Sequence, residues 1–380
     1  MAIINEIYYY CDQSIDPRPG SSLFSFYNFD NTDYWYIDFH HGWNLIPAID
    51  RIPPEVCDRI RNGTVTLLLN NSHEAFHDPI DYIYRYFVSN LNFPAENIRL
   101  LTESATIDVE VKRVAHQYQK PYIQIEWLRI FEYNVANTMD HVKLDTLEYK
   151  TYNKKYLNLN RRWRRHRPII VALLELQDLL PLGHVSFCKN VDDENWDVIY
   201  GFLGHILNSG EENLYTVMTQ NRARIENIPD MFLDTTQLHV NQVQVDNNLD
   251  NFYLDSYFSI VNETNYFIDL GEGIFLSEKV FKPILKNHPF IIVSRPHSLS
   301  KLRELGYKTF SPYIDESYDN IENDSERLFA IIREVKRLCN LADSDLTTFL
   351  TESKKIVEHN YNLLLSKKNN VKENFVTKLL

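Results

Sequence analysis

Two short segments in the second half of the chain carry side chains that could bind opposite ends of a nucleoside diphosphate. Glu263 follows the apolar run 258–261, and Ser277, Glu278 and Lys279 lie further along the chain. A carboxylate can accept hydrogen bonds from a ribose diol, and a lysine can stabilise the negative charge of a departing diphosphate. The same residues also fit a plainer interpretation, in which Ser277 and Glu278 cap a helix and Lys279 is a surface charge.

A dense basic cluster lies upstream, where a predicted strand over 155–159 ends and a predicted helix over 169–180 begins. Free N–H groups at a helix start and the planar guanidinium fork both bind phosphate oxygens. Helical spacing points the arginines in different directions, so they cannot all face one ligand. The alternative is a solvated basic face that pairs with acidic residues. The cluster consists of Arg161, Arg162, Arg164, Arg165, His166 and Arg167, with Asn160 immediately before it.

The segment His73-Glu74-Ala75-Phe76-His77 matches the H-E-x-x-H pattern of zinc proteases. That chemistry requires both histidines on one face of a helix, with the glutamate as the base. Here the segment directly follows a predicted strand and Asn70-Asn71-Ser72, so it opens a helix, and a third ligand could come only from Glu96 or Glu103. We therefore expect no bound metal and keep zinc hydrolysis as an alternative.

Glu74 also suits a role as a general base. It follows the predicted strand over 64–69, and ligands of α/β proteins bind outside the carboxyl ends of such strands. From there Glu74 could deprotonate an acceptor hydroxyl. Asp38, His40 and His41 follow an earlier predicted strand and compete for this role, and capping or surface roles are equally compatible with each.

The composition limits the class of protein. With 380 residues, the chain exceeds the size at which a single core stops growing, so we expect two domains. A net charge of -13 disfavours a broad nucleic-acid or membrane surface. Neither phosphate-loop motif is present among only 10 glycines, and the 4 cysteines form no C-x-x-C pair. The chain begins without a signal-peptide pattern and contains no membrane-spanning run, so we expect a cytoplasmic protein without membrane insertion.

Hydrophobic periodicity predicts an α/β architecture. In the first half, a strand over 64–69, a helix over 79–91 and a strand over 98–101 suggest a doubly wound domain. A polar linker is expected near 145–155, and a turn over 315–319 carries acids that could bind a ligand or cap a helix. The second half adds strands over 258–261 and 289–293 and helices over 277–285, 298–305, 325–341 and 346–365.

Glu263, the segment Leu276-Ser277-Glu278-Lys279 and the strand over 289–293 together resemble the donor-site signature of fucosyltransferase-like and exostosin-like GT-B glycosyltransferases. The segments 302–310 and 314–319 and the start of the basic cluster are similar to glycosyltransferase-like proteins of phages and large DNA viruses. The resemblance covers roughly residues 150–365. Ser277 stands where fucosyltransferases usually have threonine, and the first half of the chain is not recognisable.

The resemblance implies a GT-B fold, with two Rossmann-like domains that face a cleft and with C-terminal helices. It implies that Glu278 contacts the nucleotide ribose, that Lys279 contacts the phosphates and that an arginine near 160–167 also holds the diphosphate. We assign catalytic roles to Glu74, Lys279 and Arg165. We assign donor binding to Asn160, Arg161, Arg165, Arg167, Glu263, Ser277, Glu278 and Lys279.

These observations together predict a glycosyltransferase that moves a sugar from a GDP- or UDP-sugar to a hydroxyl of a glycan or another acceptor, with inversion. We expect an acceptor-side domain over 1–150, a nucleotide-sugar domain over 151–345, and a C-terminal helix over 346–380 that packs back on the first domain. We expect no nucleic-acid partner and a cytoplasmic location, in the host cytoplasm if the protein is viral. The alternatives are the zinc metallohydrolase and a nucleotide-binding module without catalytic activity.

Overall fold

Runs of β-branched, aromatic and leucine residues form two sheets in the computed structural model, one parallel and one parallel except for its last strand. The chain divides into a first unit (Met1–Tyr133, Leu270–Phe275 and Lys367–Leu380) and a second unit (Asn134–Asp269 and Leu276–Ser366). Strand and helix labels below number the described elements in chain order. The structure describes residues 7–11, 33–39, 42–72, 77–137, 152–160, 163–189, 195–206, 212–233, 249–268, 273–368 and 375–380.

The sheet of the first unit has the order β1-β2-β3-β4-β5-β10. Strands β1 to β5 are parallel, and β10 pairs antiparallel with β5. Leu67, Leu68 and Leu69 of β3 are fully buried, as expected of a strand covered on both faces. The strands are β1 (Ile7–Cys11), β2 (Asp33–Asp38), β3 (Val65–Asn71), β4 (Ile98–Thr102), β5 (Gln124–Leu128) and β10 (Val376–Lys378).

Strands β1 to β5 thus follow one another in chain order, and the described part of this sheet lacks the reversal of a doubly wound sheet. This differs from the sequence-based expectation for the first half. Periodicity identifies strands, but it does not reveal which strands become neighbours. Near the edge, Arg129 donates from Nη1 to Thr377 Oγ1 at 2.5 Å, and Lys367 forms a buried ion pair of 2.7 Å with Glu132.

The helix predicted over 79–91 is present, but most of it is wound as a π-helix. Leu91 N donates to Tyr86 O at 3.0 Å, which is a hydrogen bond across five residues. Its buried face packs into the core of the first unit through Ile83, Tyr84 and Phe87. The helices here are α1 (Leu45–Ile49), α2 (Pro54–Arg61), α3 (Pro79–Tyr82) with the π-helix Ile83–Asn90, α4 (Ile107–Tyr118) and α5 (Ile130–Asn137), which begins in this unit.

The sheet of the second unit is fully parallel, with the order β7-β6-β8-β9. Strand order reverses between β6 and β8, because β7 lies on one side of β6 and the later strands lie on the other. In open α/β sheets such a switch point is where ligands bind, outside the carboxyl ends of the strands. The strands are β6 (Lys154–Asn160), β7 (Gly183–Phe187), β8 (Ser256–Asn262) and β9 (Phe290–Val293).

Several helices of the second unit begin or end at signals visible in the sequence. Ser277 is the N-cap of α11, as predicted, and Gly306 follows α12 with a φ of +91° that favours glycine. Helix α6 begins at His166, earlier than predicted, because proline is tolerated in a first helical turn and Pro168 lies there. The helices are α6 (His166–Leu176), α7 (Trp196–Ile206), α8 (Glu212–Gln220), α9 (Arg222–Glu226), α10 (Asp250–Leu254), α11 (Glu278–Leu285), α12 (Ser298–Glu304), α13 (Asp324–Cys339) and α14 (Asp343–Lys367).

Candidate functional site

The candidate site lies at the switch point of the second sheet, where β6 ends at Asn160 and β8 ends at Asn262. The loop after β8 carries Glu263, which is fully buried. Two helices begin beside these strand ends: α6 follows β6 closely, and α11 starts directly after Ser277. The topology therefore collects polar residues from four elements around one edge of the sheet.

Three asparagines form a hydrogen-bonded row across β6 and β8, and all three are buried. Asn158 Nδ2 donates to Ile260 O at 3.1 Å, and Asn160 Nδ2 donates to Asn158 Oδ1. Asn262 Nδ2 then donates to Asn160 Oδ1 at 2.7 Å. Within a low-dielectric interior such linked amide groups strengthen one another and hold the two strand ends in a fixed register.

Glu263 connects β8 to the start of α11. Its Oε1 accepts from Ser277 N at 3.1 Å, and its Oε2 accepts from Ser277 Oγ at 2.5 Å. The Ser277 hydroxyl also caps the helix by accepting from Lys279 N at 3.3 Å. Burial raises the pKa of Glu263, while the charge of Lys279 and the bonds to Ser277 oppose this effect. Glu263 is therefore a positioning group. It fixes the start of α11 and hence the positions of Glu278 and Lys279.

Glu278 and Lys279 form the charged pair of the site. Lys279 Nζ lies 2.8 Å from Glu278 Oε1 and donates to Ser277 Oγ at 3.1 Å and to Thr264 Oγ1 at 3.4 Å. Burial alone would raise the pKa of Glu278, but the charges of Lys279 and Lys282 outweigh it and lower the pKa to about 2. Glu278 is thus an anionic hydrogen-bond acceptor at physiological pH, beside an ammonium group that can meet an anion.

His166 and Arg167 support the end of β8 from the start of α6. His166 Nε2 lies 2.9 Å from Glu263 O, and Arg167 Nη2 donates to Asn262 O at 3.4 Å and to Glu263 O at 3.3 Å. Burial and the neighbouring charge of Arg167 lower the pKa of His166 well below its usual value. His166 is consequently a neutral donor to the carbonyl, and both side chains stabilise the loop that carries Glu263.

A buried arginine lies behind this loop. The ring of His166 stacks on that of Tyr266 with centroids 5.3 Å apart, and the Arg327 guanidinium lies 4.4 Å from the Tyr266 centroid. Arg327 is 1% exposed, forms an ion pair with Asp324 and donates to Ser294 O at 3.1 Å. It also donates to Tyr266 O at 3.0 Å. A charge this deeply buried is tolerated because it is paired and hydrogen-bonded.

The structure brings together six of the residues assigned from sequence, and it separates others. Arg165 is not in the group, because its guanidinium lies 4.6 Å from the ring centroid of Phe202, in a cation–π contact. Arg161 and Glu74 lie outside the described residues, as do His40 and His41. The residues found around Glu263 are Asn160, Arg167, Glu263, Ser277, Glu278 and Lys279.

Asn158, Asn262 and Thr264 also belong to this group, although the sequence alone assigned no role to them. A signal existed for the first of them, because Leu157-Asn158-Leu159-Asn160 places carboxamides at alternate positions of a buried strand. Side chains two residues apart in a strand share one face, so a polar pair inside an apolar strand indicates a local partner network. Nothing in the sequence identified Asn262 as its continuation.

The acids of residues 315–319 have structural partners. Asp319 accepts from Leu299 N at 3.0 Å and from Ser300 N at 3.1 Å, so it caps α12, the helix that precedes it. Glu316 accepts from Thr309 Oγ1 at 2.7 Å. Of the two roles left open for this turn, Asp319 has the capping role, and the helix that it caps is the one that precedes the turn.

His77, the last residue of the zinc motif, and Gly273 both lie against Ser104. His77 is described, and its Nε2 lies 3.1 Å from Ser104 Oγ; His73 lies outside the described residues. Gly273 packs closely there, since a Cβ on it would approach Ser104 Oγ to 1.9 Å. Within the described ranges, no three His, Cys, Asp or Glu side chains are grouped so that they could hold a metal.

No described helix combines the length and apolar composition that spanning a membrane requires.

Comparison with known proteins gives distant structural neighbours only. No protein-family model matches the chain, and no curated protein matches its sequence. The N-terminal domain of Candida albicans trehalose-6-phosphate phosphatase is 11% identical, with a TM-score of 0.41, over 93% of this chain and 72% of that chain. The glycosylation-associated protein (Gap123) complex of Streptococcus agalactiae is 12% identical, with a TM-score of 0.32, over 90% of this chain and 54% of that chain.

Proposed function

We propose that the protein is a GT-B glycosyltransferase that transfers a sugar from a GDP- or UDP-sugar to an acceptor hydroxyl. The observation that carries this proposal is the Glu278–Lys279 pair, held at the start of α11 beside the switch point between β6 and β8. One member is an ionised acceptor suited to a ribose diol, and the other is a cation suited to a diphosphate. The second unit is the donor-binding domain in this proposal.

The proposed chemistry assigns each charged group a separate task. Glu278 accepts hydrogen bonds from the ribose hydroxyls, because its pKa of about 2 keeps it ionised throughout the physiological range. Lys279 lies next to the diphosphate and stabilises the negative charge that grows as the bond between sugar and phosphate breaks. A direct attack by the acceptor hydroxyl on the anomeric carbon inverts its configuration. A bound metal is not required where fixed cations supply the charge.

Ser277 and Glu263 position this pair in the proposed site. The Glu263 carboxylate holds Ser277 by two hydrogen bonds, and this fixes the first turn of α11. The dipole at the start of that helix adds a favourable field for the phosphates. Glu74 stays our prediction for the base that removes the acceptor proton, and a glycan hydroxyl is the proposed acceptor.

Calorimetric titration of GDP, UDP and their sugars into the full chain tests the donor site. Lys279→Ala and Glu278→Ala should each weaken binding by about 1.5–3 kcal/mol, because each removes a charged hydrogen bond. Lys354→Ala, which changes a half-exposed lysine of α14, is the matched control and should bind like the wild type. Unchanged affinity in both site variants, with the fold intact, would contradict the donor site.

Turnover assays separate the proposed function from its alternatives. A transferase releases a nucleoside diphosphate from its sugar donor, faster when an acceptor is present. A binding module would take up the nucleotide and show no release with any acceptor. A metallohydrolase would contain stoichiometric zinc that is lost in His73→Ala, which elemental analysis of the purified protein detects.

A further inference from the structure

The inference concerns one side-chain oxygen at the carboxyl end of β8. Asn262 is 2% exposed, and its Oδ1 atom is buried without a hydrogen-bond partner among the described residues. Buried polar atoms in folded proteins are nearly always paired, so a buried acceptor without a donor calls for an explanation. Asn262 lies directly before Glu263, at the switch point where the proposed donor site is located.

The hydrogen-bonded row determines that this atom is an oxygen and not the amide nitrogen. Asn158 must turn its Nδ2 toward Ile260 O, because a backbone carbonyl can only accept. This leaves Asn158 Oδ1 to accept from Asn160 and Asn160 Oδ1 to accept from Asn262. Reversing any one amide would place two oxygens or two N–H groups against each other. The last atom of the row, Asn262 Oδ1, is therefore a hydrogen-bond acceptor.

Three side chains that could donate hydrogen bonds in this site already have partners. Ser277 Oγ donates to Glu263, and His166 reaches the Glu263 carbonyl. Lys279 contacts Glu278, Ser277 and Thr264. The lysine and the unpartnered oxygen therefore suit different groups of a ligand. Lys279 suits an anion, whereas Asn262 Oδ1 needs a hydrogen-bond donor.

We propose that Asn262 Oδ1 accepts a hydrogen bond from a hydroxyl of the bound ligand, and that the row Asn158–Asn160–Asn262 makes the site selective for that hydroxyl. An ionised phosphate has acceptor oxygens only, so it cannot satisfy this atom. A hydroxyl of the nucleotide ribose and a hydroxyl of the transferred sugar share the required chemistry. The inference rests on the proposed function, because it assigns Asn262 a role within the same donor site.

Deoxy analogues test this assignment directly by calorimetric titration into the full chain. The ribose arm compares UDP and GDP with their 2′-deoxy and 3′-deoxy forms. The sugar arm compares UDP-glucose with its monodeoxyglucose derivatives. In the wild type, one of these deletions should weaken binding about tenfold, the effect of one lost hydrogen bond to a buried acceptor. A ribose hydroxyl also contacts Glu278 in the proposed site, so the hydroxyl that meets Asn262 is the one whose loss ceases to matter in Asn262→Ala and still matters in Glu278→Ala.

Asn262→Ala should remove the difference in affinity between the parent ligand and the deoxy analogue that lacks the hydroxyl contacting Asn262, so that both bind alike. Asn340→Ala is the matched control, because Asn340 follows α13 at the end that faces Lys155 and the amino end of β6. The Asn340→Ala variant should retain the roughly tenfold difference in dissociation constant between the sensitive deoxy analogue and its parent. The wild-type series needs no variant, so the test stands even where Asn262→Ala fails to fold.

Two results overturn the inference and leave the proposed function in place. In the first, every deoxy derivative of the sugar binds the wild type like its parent, and the loss with deoxyribose analogues disappears in Glu278→Ala only, which means that a water or no group at all meets Asn262 Oδ1. In the second, the ratio persists in Asn262→Ala, which moves the hydroxyl contact elsewhere. Absence of binding by all nucleotides and nucleotide sugars overturns both the inference and the proposed function.

Discussion

Replacing Lys279 by alanine should destabilise the second unit and raise the pKa of Glu278. The two charged groups are 2.8 Å apart, and their side chains are only 26% and 11% exposed. Removing the lysine leaves a largely buried carboxylate with Lys282 as the remaining cation that lowers its pKa. Breaking a pair in such surroundings costs more than losing a surface pair, because the orphaned charge stays desolvated.

The pKa of Glu278 sets the size of the effect. A lowering from 4.5 to about 2 corresponds to roughly 3 kcal/mol in favour of the ionised form in the folded protein. Lys279 is the largest of the influences that lower the pKa, and Lys282 persists in the variant, so we expect a loss of about 2 kcal/mol at neutral pH. Because the folded-state pKa lies below the unfolded value, this stability is present above about pH 4.5 and is lost as the pH falls toward 2.

Urea unfolding at several pH values measures this loss, and hydrogen–deuterium exchange of β8 and α11 assigns it to the second unit. The control is Lys354→Ala, whose ion pair with Glu358 is long, at 3.9 Å, and whose side chain is 56% exposed. Such a surface pair contributes about 0–1 kcal/mol. The difference between Lys279→Ala and wild type should narrow below pH 4.5. Equal losses in both variants, or a loss independent of pH, would refute the reasoning.

Three further substitutions have outcomes fixed by the structure. Arg327→Met should lower the free energy of unfolding by about 3–5 kcal/mol, because it removes the buried cation that is paired with the Asp324 carboxylate; thermal unfolding measures this, and a loss below 1 kcal/mol would contradict it. Asp319→Ala should cost about 1–2 kcal/mol, since it removes the cap of α12, and exchange of the first α12 amides should rise. Gly273→Ala should destabilise the first unit by about 1–3 kcal/mol, because the new Cβ clashes with Ser104; unchanged urea unfolding would show that the packing relaxes.

Much of the second unit could be predicted because its signals are local. The strand at β8, the helix α11 and the capping role of Ser277 follow from an apolar run and from a serine before a helical stretch. Glu278 and Lys279 were assigned from the resemblance to GT-B donor sites, because their local pattern alone fits a helix cap and a surface charge equally well. Their relation to Glu263 is also short in sequence, since Ser277 and Glu263 are 14 positions apart.

The parts that could not be predicted depend on which strands become neighbours. Asn160 and Asn262 bond across 102 positions, and only the adjacency of β6 and β8 brings them together. The basic cluster illustrates a second limit. Because α6 begins at His166, its first turn directs His166 and Arg167 inward, while Arg165 lies against Phe202. A shift of a few residues in the start of a helix thus decides which arginine reaches the site. Hydrophobic periodicity does not predict the first residue of a helix that precisely.

Because β10 pairs with β5, the sheet of the first unit cannot be completed until the end of the described chain has been synthesised. Arg129 and Thr377, which bond near this edge, are separated by 248 residues. At roughly 5–20 residues per second, a ribosome needs on the order of 12–50 s to make that stretch. For this period β5 has one unpaired edge, and every described strand of the second unit is made before β10 covers that edge.

An open strand edge is a template for wrong pairing with another chain. The nascent first unit is therefore exposed to association with neighbouring polypeptides until translation has passed residue 378. Fragments that stop before β10 keep that exposure permanently, so we expect them to aggregate where the full chain stays dispersed. Light scattering of a 1–374 fragment and of the full chain at equal concentration compares the two.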